Sequence, residues 1–213
     1  PMSSPAVLVP APAAAPAAAS FAARYAAVRA QTAALRGYLS NIPLVTVKGL
    51  EADAAAAVLP GLTLRAALAY ADGRYTRYPA GPCPLERQSA ATAACDLTGR
   101  RLASLPRWAV TAGFDYARAV GRGQAFVHLD TASRSGVDGD PSLSRFTRIG
   151  GYNLSNANAG YRFAGGLELA VFARNLFDAG YVQNLTVQAG GSGLVLGTPG
   201  DPRTLGVTVR VIR

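Results

Sequence analysis

Apolar and polar residues alternate along most of the chain, a pattern typical of strands with one apolar and one polar face. In residues 107–118, Trp108 and Val110 share the apolar parity while Thr111 and Asp115 share the polar one. The same alternation covers 50–58, 62–70, 123–134, 167–177 and 203–213, and more weakly 21–31 and 149–162. It predicts about eight strands of roughly 10–15 residues, longer than the usual mode of about 5–6.

The connections between these stretches alternate in length. The short ones carry glycine, are hairpin signals, and lie at 59–61, 120–123 and 164–166. The long ones are 32–42, 79–106, 135–148 and 178–202. Tight turns at one end and long loops at the other are the layout of an outer-membrane barrel. The sequence predicts an all-β fold, an antiparallel up-and-down transmembrane β-barrel segment with apolar side chains toward lipid and polar ones toward the lumen. A soluble antiparallel sandwich is the alternative.

Composition excludes other classes. Of the 213 residues, 50% are hydrophobic and only 15% charged, which argues against a disordered tail. The net charge of +9 comes almost wholly from arginine, and without a run of basic residues nucleic acid is not an expected partner. No stretch of about 20 apolar residues free of helix breakers predicts a membrane helix. Residues 1–20 are an Ala/Pro-rich low-complexity segment or loop.

The sequence contains few residues whose type and spacing suggest catalysis, metal binding or phosphate binding. The single histidine, His128, lies on a polar strand parity, and no Gly-x-Ser-x-Gly elbow accompanies it. The glycine-rich stretch 190–193 lacks the Lys-Ser/Thr of a phosphate cradle. The sequence therefore predicts no catalysis, no metal site and no cofactor.

Both cysteines, Cys83 and Cys95, fall in the long connection 79–106. A loop at the cell surface meets an oxidising environment, which favours a disulfide between them. Free thiols and a metal site are the alternatives, although a two-cysteine zinc site needs two further ligands.

Several ordered motifs carry a resemblance to a known family. They are 38–42 (YLSNI), 47–51 (VKGLE), 97–102 (LTGRRL), 106–108 (PRW), 175–181 (NLFDAGY) and 200–204 (GDPRT). With the final alternating strand, residues 21–213 resemble the C-terminal part of the β-barrel of TonB-dependent outer-membrane receptors. The resemblance implies import of a scarce nutrient across the bacterial outer membrane, most often a ferric siderophore or a related iron or cobalamin chelate.

The same resemblance implies partners. These are outer-membrane lipid, the barrel-assembly machinery, a small nutrient chelate and the TonB complex. Such receptors close about 22 strands around an N-terminal plug that carries the TonB box. We expect the plug and the TonB box to lie outside this chain, whose strands match about the last third of such a barrel. The chain finishes on Arg213 rather than on the aromatic residue used in assembly, which predicts less efficient insertion.

A self-contained eight-stranded barrel with a structural or small-pore role is the alternative to a receptor segment. Small residues at polar-parity positions would fill a narrow lumen poorly and favour a wide barrel; they are Ala67, Ala69, Ala109, Gly113 and Ala132.

Ligand contact is expected from the surface loops 79–106, 135–148 and 182–199, because loops on a rigid scaffold carry recognition. Arginines in these loops can attract an anionic chelate. The candidate substrate-binding residues are Arg87, Arg100, Arg101, Arg145 and Arg148. Asn175 and Asp178, where a strand opens into a loop, are expected to have structural roles.

Overall fold

The computed structural model describes residues 41–88, 94–188 and 193–211. The Ala/Pro-rich segment 1–20 and the strand predicted at 21–31 lie outside the described residues. Within them, no helix is long and apolar enough to cross a membrane.

The described chain is built almost wholly from strands. The strands are β1 Leu44–Leu59, β2 Leu62–Arg77, β3 Trp108–Val120, β4 Gly123–Arg134, β5 Val137–Asp138, β6 Arg148–Ile149, β7 Tyr152–Phe163, β8 Leu167–Arg174, β9 Val182–Val187, β10 Val195–Pro199 and β11 Thr204–Val211. Short 3-10 turns occur at Leu85–Arg87 and Arg145–Thr147.

Seven long strands form one antiparallel sheet in the order β1-β2-β3-β4-β7-β8-β11. Tight turns join β1 to β2, β3 to β4 and β7 to β8 at one end of the sheet. The long connections 78–107, 135–151 and 175–203 leave from the other end and contain the two-stranded pairs β5-β6 and β9-β10. The predicted all-β meander is confirmed. In the described part of the chain the sheet is open, with β1 and β11 at its edges.

The sheet has two continuous faces, one apolar and one polar, because paired residues in antiparallel strands point to the same side. On the apolar face Leu68 pairs with Val110, and Phe114 with Leu129. On the polar face Asp115 pairs with His128, and Asp130 with Asn156. The large side chains of the apolar face are exposed in this structure. Such a face needs an apolar environment that the chain itself does not supply.

Strand ends differ from the sequence prediction. Strand β1 begins at Leu44 rather than Leu50, and β2 continues to Arg77. Strand β8 ends at Arg174, because Asn175 takes a left-handed backbone conformation with φ of 48°. Phe177, the last residue of the strand predicted at 167–177, therefore lies in the following loop and is 75% exposed.

Asn175 connects the motifs at 175–181 and 200–204. Its side-chain amide donates to the Ala179 and Asp201 carbonyls at 3.0 and 3.1 Å, and its oxygen accepts from the Ala179 N–H at 2.9 Å. Asp178 accepts from the Arg203 backbone N–H at 2.9 Å. These hydrogen bonds bring the start of β11 beside the end of β8, which is the structural role expected from the sequence.

Replacing Asn175 with alanine should lower the free energy of unfolding by about 1–3 kcal/mol, because the three hydrogen bonds of its buried side-chain amide are lost. Alanine is also less tolerant of positive φ than asparagine. Unfolding of the full-length protein in denaturant measures the effect, and the exposed Asn184→Ala in β9 is the control. Equal midpoints for the two variants would contradict this role.

Candidate ligand-binding site

A small core fixes the loops that cover the loop end of the polar face. Tyr75, at the end of β2, is only 1% exposed and packs with Tyr78 and Leu97. The rings of Tyr75 and Tyr78 lie 5.2 Å apart. Partly buried side chains of β1, of the same loop and of the loop after β4 pack against this core: Val45, Leu102 and Leu143. The loop after β2 is therefore held against both β1 and the loop after β4.

The segment 81–95 is closed by a disulfide between Cys83 and Cys95. Gly81 and Cys95 also exchange two backbone hydrogen bonds of 2.9 Å. The two arms of this loop are thus linked at two points. These links fix the position of the turn that contains Glu86. Within the described residues, no three His, Cys, Asp or Glu side chains gather in a way that could hold a metal ion.

Glu86 joins the loop after β2 to the loop after β4. Its carboxylate accepts a hydrogen bond from the Ser144 hydroxyl at 2.8 Å and from the Arg145 backbone N–H at 3.2 Å. Ser144 is fully buried. We call this pair of contacts the Glu86 latch. Partial burial raises the pKa of the Glu86 carboxyl, but hydrogen bonds from its own backbone N–H, Ser144 and Arg145 outweigh it and leave the pKa below the ordinary value.

Asp140 joins the loop after β4 to the loop after β8. Its carboxylate accepts from the Ser142 backbone N–H at 2.9 Å, and from the Thr186 hydroxyl and the Val187 N–H at 3.2 Å each. Thr186 and Val187 belong to β9. The three long loops are consequently linked in series by two carboxylates.

A pocket of about 450 Å³ opens between the loops after β2 and β4. Its lining residues are Pro84, Glu86, Arg87, Cys95, Asp96, Leu97, Arg100, Ser142, Leu143 and Arg145. We call it the arginine pocket, because three of the five arginines proposed from the sequence meet there. The Ser142 hydroxyl in its wall is buried and has no hydrogen-bond partner in the described part of the chain.

The carboxylates of the arginine pocket are engaged by their own loops. The Asp96 carboxylate accepts hydrogen bonds from the Thr98 hydroxyl and backbone N–H, and both lower the pKa of Asp96. Glu86 is held in the latch. Across residues 41–88, 94–188 and 193–211, no salt bridge joins the guanidinium groups of Arg87, Arg100 or Arg145 to a carboxylate. The pocket therefore presents positive charge to a ligand.

The other two candidate arginines lie elsewhere. Arg101 forms a β-bridge with Arg74 of β2 and does not line the arginine pocket. Arg148 is exposed in β6, where it pairs with Asp138 of β5. Three of the five candidate arginines thus line one pocket and these two do not, while ligand contact by any of the five stays a prediction.

The polar face carries a second group of charges along the strands. Asp115 pairs with both Arg65 and His128, whose Nδ1 lies 2.6 Å from the carboxylate. Glu168, 5% exposed, accepts two hydrogen bonds from Arg162 at 2.7 and 3.0 Å. These contacts tie neighbouring strands together across the face, and they give His128 a structural partner on its expected parity.

Comparison with known proteins defines the family. Residues 9–176 match the family model "TonB dependent receptor-like, beta-barrel", and the chain belongs to this family. The family comprises transport receptors rather than enzymes; its members are outer-membrane β-barrels that bind siderophores and TonB. No curated protein matches the chain.

Solved structures share the fold at low identity. The ferric yersiniabactin uptake receptor FyuA from Yersinia pestis superposes with a TM-score of 0.61 at 15% identity, over 78% of this chain and 23% of that one. The siderophore receptor PiuA from Acinetobacter baumannii gives 0.59 at 18%, over 78% and 21%. The ferric citrate transporter FecA gives 0.57 at 21%, over 78% and 24%. The chain spans less than a quarter of the length of each.

Acid should release the Glu86 latch. The folded pKa lies below the ordinary glutamate value of 4.5, so the stabilisation is present above about pH 4.5 and is lost as the pH falls through the lowered pKa. Amide hydrogen exchange at residues 144–147, corrected for the intrinsic pH dependence, should show protection falling below that pH.

The variant Glu86→Gln should lose protection at neutral pH and lack the acid transition in this segment, because its amide carries no titrating charge. Glu51→Gln on the polar face of β1 is the matched control and should behave as the unsubstituted protein. An unchanged acid transition in Glu86→Gln would refute the latch.

Proposed function

We propose that this chain is a C-terminal wall segment of a TonB-dependent receptor that imports an anionic metal chelate, most simply a ferric siderophore, across the bacterial outer membrane. The observation that carries the proposal is the arginine pocket at the loop end of a barrel-type sheet. Three guanidinium groups that form no salt bridge within the described residues, a buried hydroxyl and a volume of about 450 Å³ suit a small anionic ligand with several oxygen donors. The chelated metal is cargo, held by its own chelator.

The two faces of the sheet support the proposed location. Exposed leucine, valine and aromatic side chains cover the apolar face, as a lipid-facing wall requires. Charged and amide side chains cover the polar face, which suits a water-filled or plug-filled lumen. The long loops then lie at the cell surface, where the arginine pocket meets the nutrient first.

Energy for uptake would reach this segment through parts of the receptor beyond the described residues. The TonB complex would act on the plug, and the barrel-assembly machinery would insert the wall. A wall segment of a wide barrel agrees with the share of each solved receptor that the chain covers, 21% to 24%. A self-contained small barrel agrees less well, because alanine and glycine occupy many positions of the polar face.

Substituting the pocket arginines should weaken ligand binding. In the full-length receptor, Arg100→Ala or Arg145→Ala should raise the Kd for a ferric siderophore about tenfold or more, since a hydrogen bond to a charged group contributes about 1.5–3 kcal/mol. Isothermal titration at two salt concentrations measures the effect, which should shrink at high salt.

Arg148→Ala is the matched control for this experiment, because Arg148 is exposed in the same loop but outside the pocket. Its Kd should stay within about twofold of the unsubstituted receptor. Equal losses for Arg148→Ala and Arg145→Ala would remove the arginine pocket as the binding site.

Arginine on the apolar face should impair assembly. Leu129→Arg, near the middle of β4, should cost roughly 2–4 kcal/mol in bilayer folding, because the guanidinium must enter hydrocarbon. Ala132→Arg, exposed on the polar face of the same strand, should be tolerated. Folding into lipid vesicles, followed by heat-modifiable gel mobility, separates the two outcomes. Equal folding yields would contradict the lipid-facing assignment.

A further inference from the structure

The loop after β2 contributes two segments to the arginine pocket, and the segment that carries Arg100 is anchored by the backbone. The Leu97 N–H donates to the Tyr78 carbonyl at 2.9 Å. The Gly99 N–H donates to the Tyr75 carbonyl at 2.7 Å, and the Tyr75 N–H donates to the Arg100 carbonyl at 3.0 Å. Three backbone hydrogen bonds therefore hold this segment against the chain at the end of β2.

The other segment is the turn 84–88, which carries Glu86 and Arg87 into the pocket. The Gln88 side chain donates to the Cys83 carbonyl at 3.1 Å, so this hydrogen bond only closes the turn on its own base. In the described part of the chain, Glu86 alone joins the turn to another segment through hydrogen bonds, and it does so in the latch. The tip of the turn thus has one polar attachment.

The base of the turn is attached by the disulfide. Cys83 is buried immediately before the turn, and its sulfur is bonded to Cys95, which lines the pocket beside the anchored segment. The two backbone hydrogen bonds between Gly81 and Cys95 lie before Cys83 and do not reach the turn. Without the disulfide, the turn would keep the latch but lose the fixed base from which Glu86 reaches the loop after β4.

A disulfide stabilises any small loop by restricting the unfolded chain, and that role alone would be independent of the pocket. Here the two half-cystines join the anchored segment to the turn that bears Arg87. A loop held in its binding conformation spends less free energy on ordering when the ligand arrives. The covalent link therefore bears on ligand affinity as well as on loop stability.

We propose that the Cys83–Cys95 disulfide positions Arg87 for the ligand and, through the Glu86 latch, positions Arg145 as well. The two sulfurs are positioning groups and need not touch the ligand. Arg100 is independent of the disulfide, because β2 holds its segment. The inference rests on the proposed function in that the arginine pocket binds an anionic chelate, whereas the ordering of the turn is measurable without any ligand.

The first test is ligand-free and uses the purified full-length receptor in detergent micelles. In Cys83→Ser/Cys95→Ser, amide hydrogen exchange at residues 144–147 should speed up at least about tenfold, as in Glu86→Gln, because the latch loses its fixed base. Exchange of the Gly99 amide, which is bonded to Tyr75, should stay within about twofold. Unchanged exchange at 144–147, or an equal increase at Gly99, would overturn the positioning role.

Reduction of the native disulfide guards against misfolding of the double variant. A water-soluble phosphine cleaves the bond to two thiols and becomes the phosphine oxide, with its oxygen and the two protons supplied by water. Exchange at 144–147 should rise as in the double variant. Re-oxidation by glutathione disulfide, which is reduced to two molecules of glutathione, should restore slow exchange. Slow exchange that persists in the reduced receptor would contradict the proposal.

The second test measures binding of two anionic chelates, ferric citrate and ferric 2,3-dihydroxybenzoate, by isothermal titration. For the chelate that binds more tightly, the double cysteine variant should raise the Kd at least about fivefold. Arg87→Ala should raise it about tenfold in the disulfide-linked receptor but less than about twofold when added to the double cysteine variant, because the two changes act through one element. Arg100→Ala is the matched control and should cost about tenfold in both backgrounds.

An unchanged Kd in the double cysteine variant, or equal effects of Arg87→Ala and Arg100→Ala in that background, would overturn the positioning role while leaving the proposed function intact. Failure of the unsubstituted receptor to bind either chelate would count against the proposed function alone, and hydrogen exchange would still decide whether the disulfide orders the turn.

Discussion

Backbone hydrogen bonding is the constraint on which the rest of this structure depends. A strand in hydrocarbon has no water to satisfy its N–H and C=O groups, so each must pair with a neighbouring strand. Strands β3 and β4 meet this requirement without interruption from Ala109 opposite Arg134 to Val120 opposite Gly123. Once such pairing is continuous, side chains can only alternate between two sides, and the whole division into an apolar and a polar face follows from it.

The same pairing determines where the loops lie. Because the strands are held at fixed spacing, the loops after β2, β4 and β8 begin side by side, and a few polar contacts are enough to join them. Glu86 reaches Ser144, and Asp140 reaches Thr186. The arginine pocket is the space left between two loops fixed in this way. The loop backbones that carry its three arginines are therefore positioned by contacts within the chain, which a ligand need not provide.

Much of the fold could be read from the sequence, because period-two alternation is a local signal. The alternation of residues 107–118 and the glycine turn at 120–123 define β3, β4 and their hairpin directly. Strand ends were harder: β8 stops at Arg174 because of the backbone conformation of Asn175, while its apolar residues continue to Phe177.

The site was predictable only in part, since its residues converge through contacts between distant loops. Their charge and their place in the loops made five arginines candidates in the sequence. That Arg87 and Arg145 line the same pocket depends on the Glu86 latch, which joins residues 58 positions apart. Arg101 does not line the pocket, because it pairs with Arg74 at the end of β2.

The central claim is that β3 and β4 form part of a membrane wall. The most direct test places single spin labels at positions 109–117 of the full-length receptor, reconstituted in lipid vesicles. The accessibility of the labels to oxygen should peak at 110, 112, 114 and 116 and fall at the positions between them. Uniform accessibility to a water-soluble relaxation agent along the strand would contradict the claim.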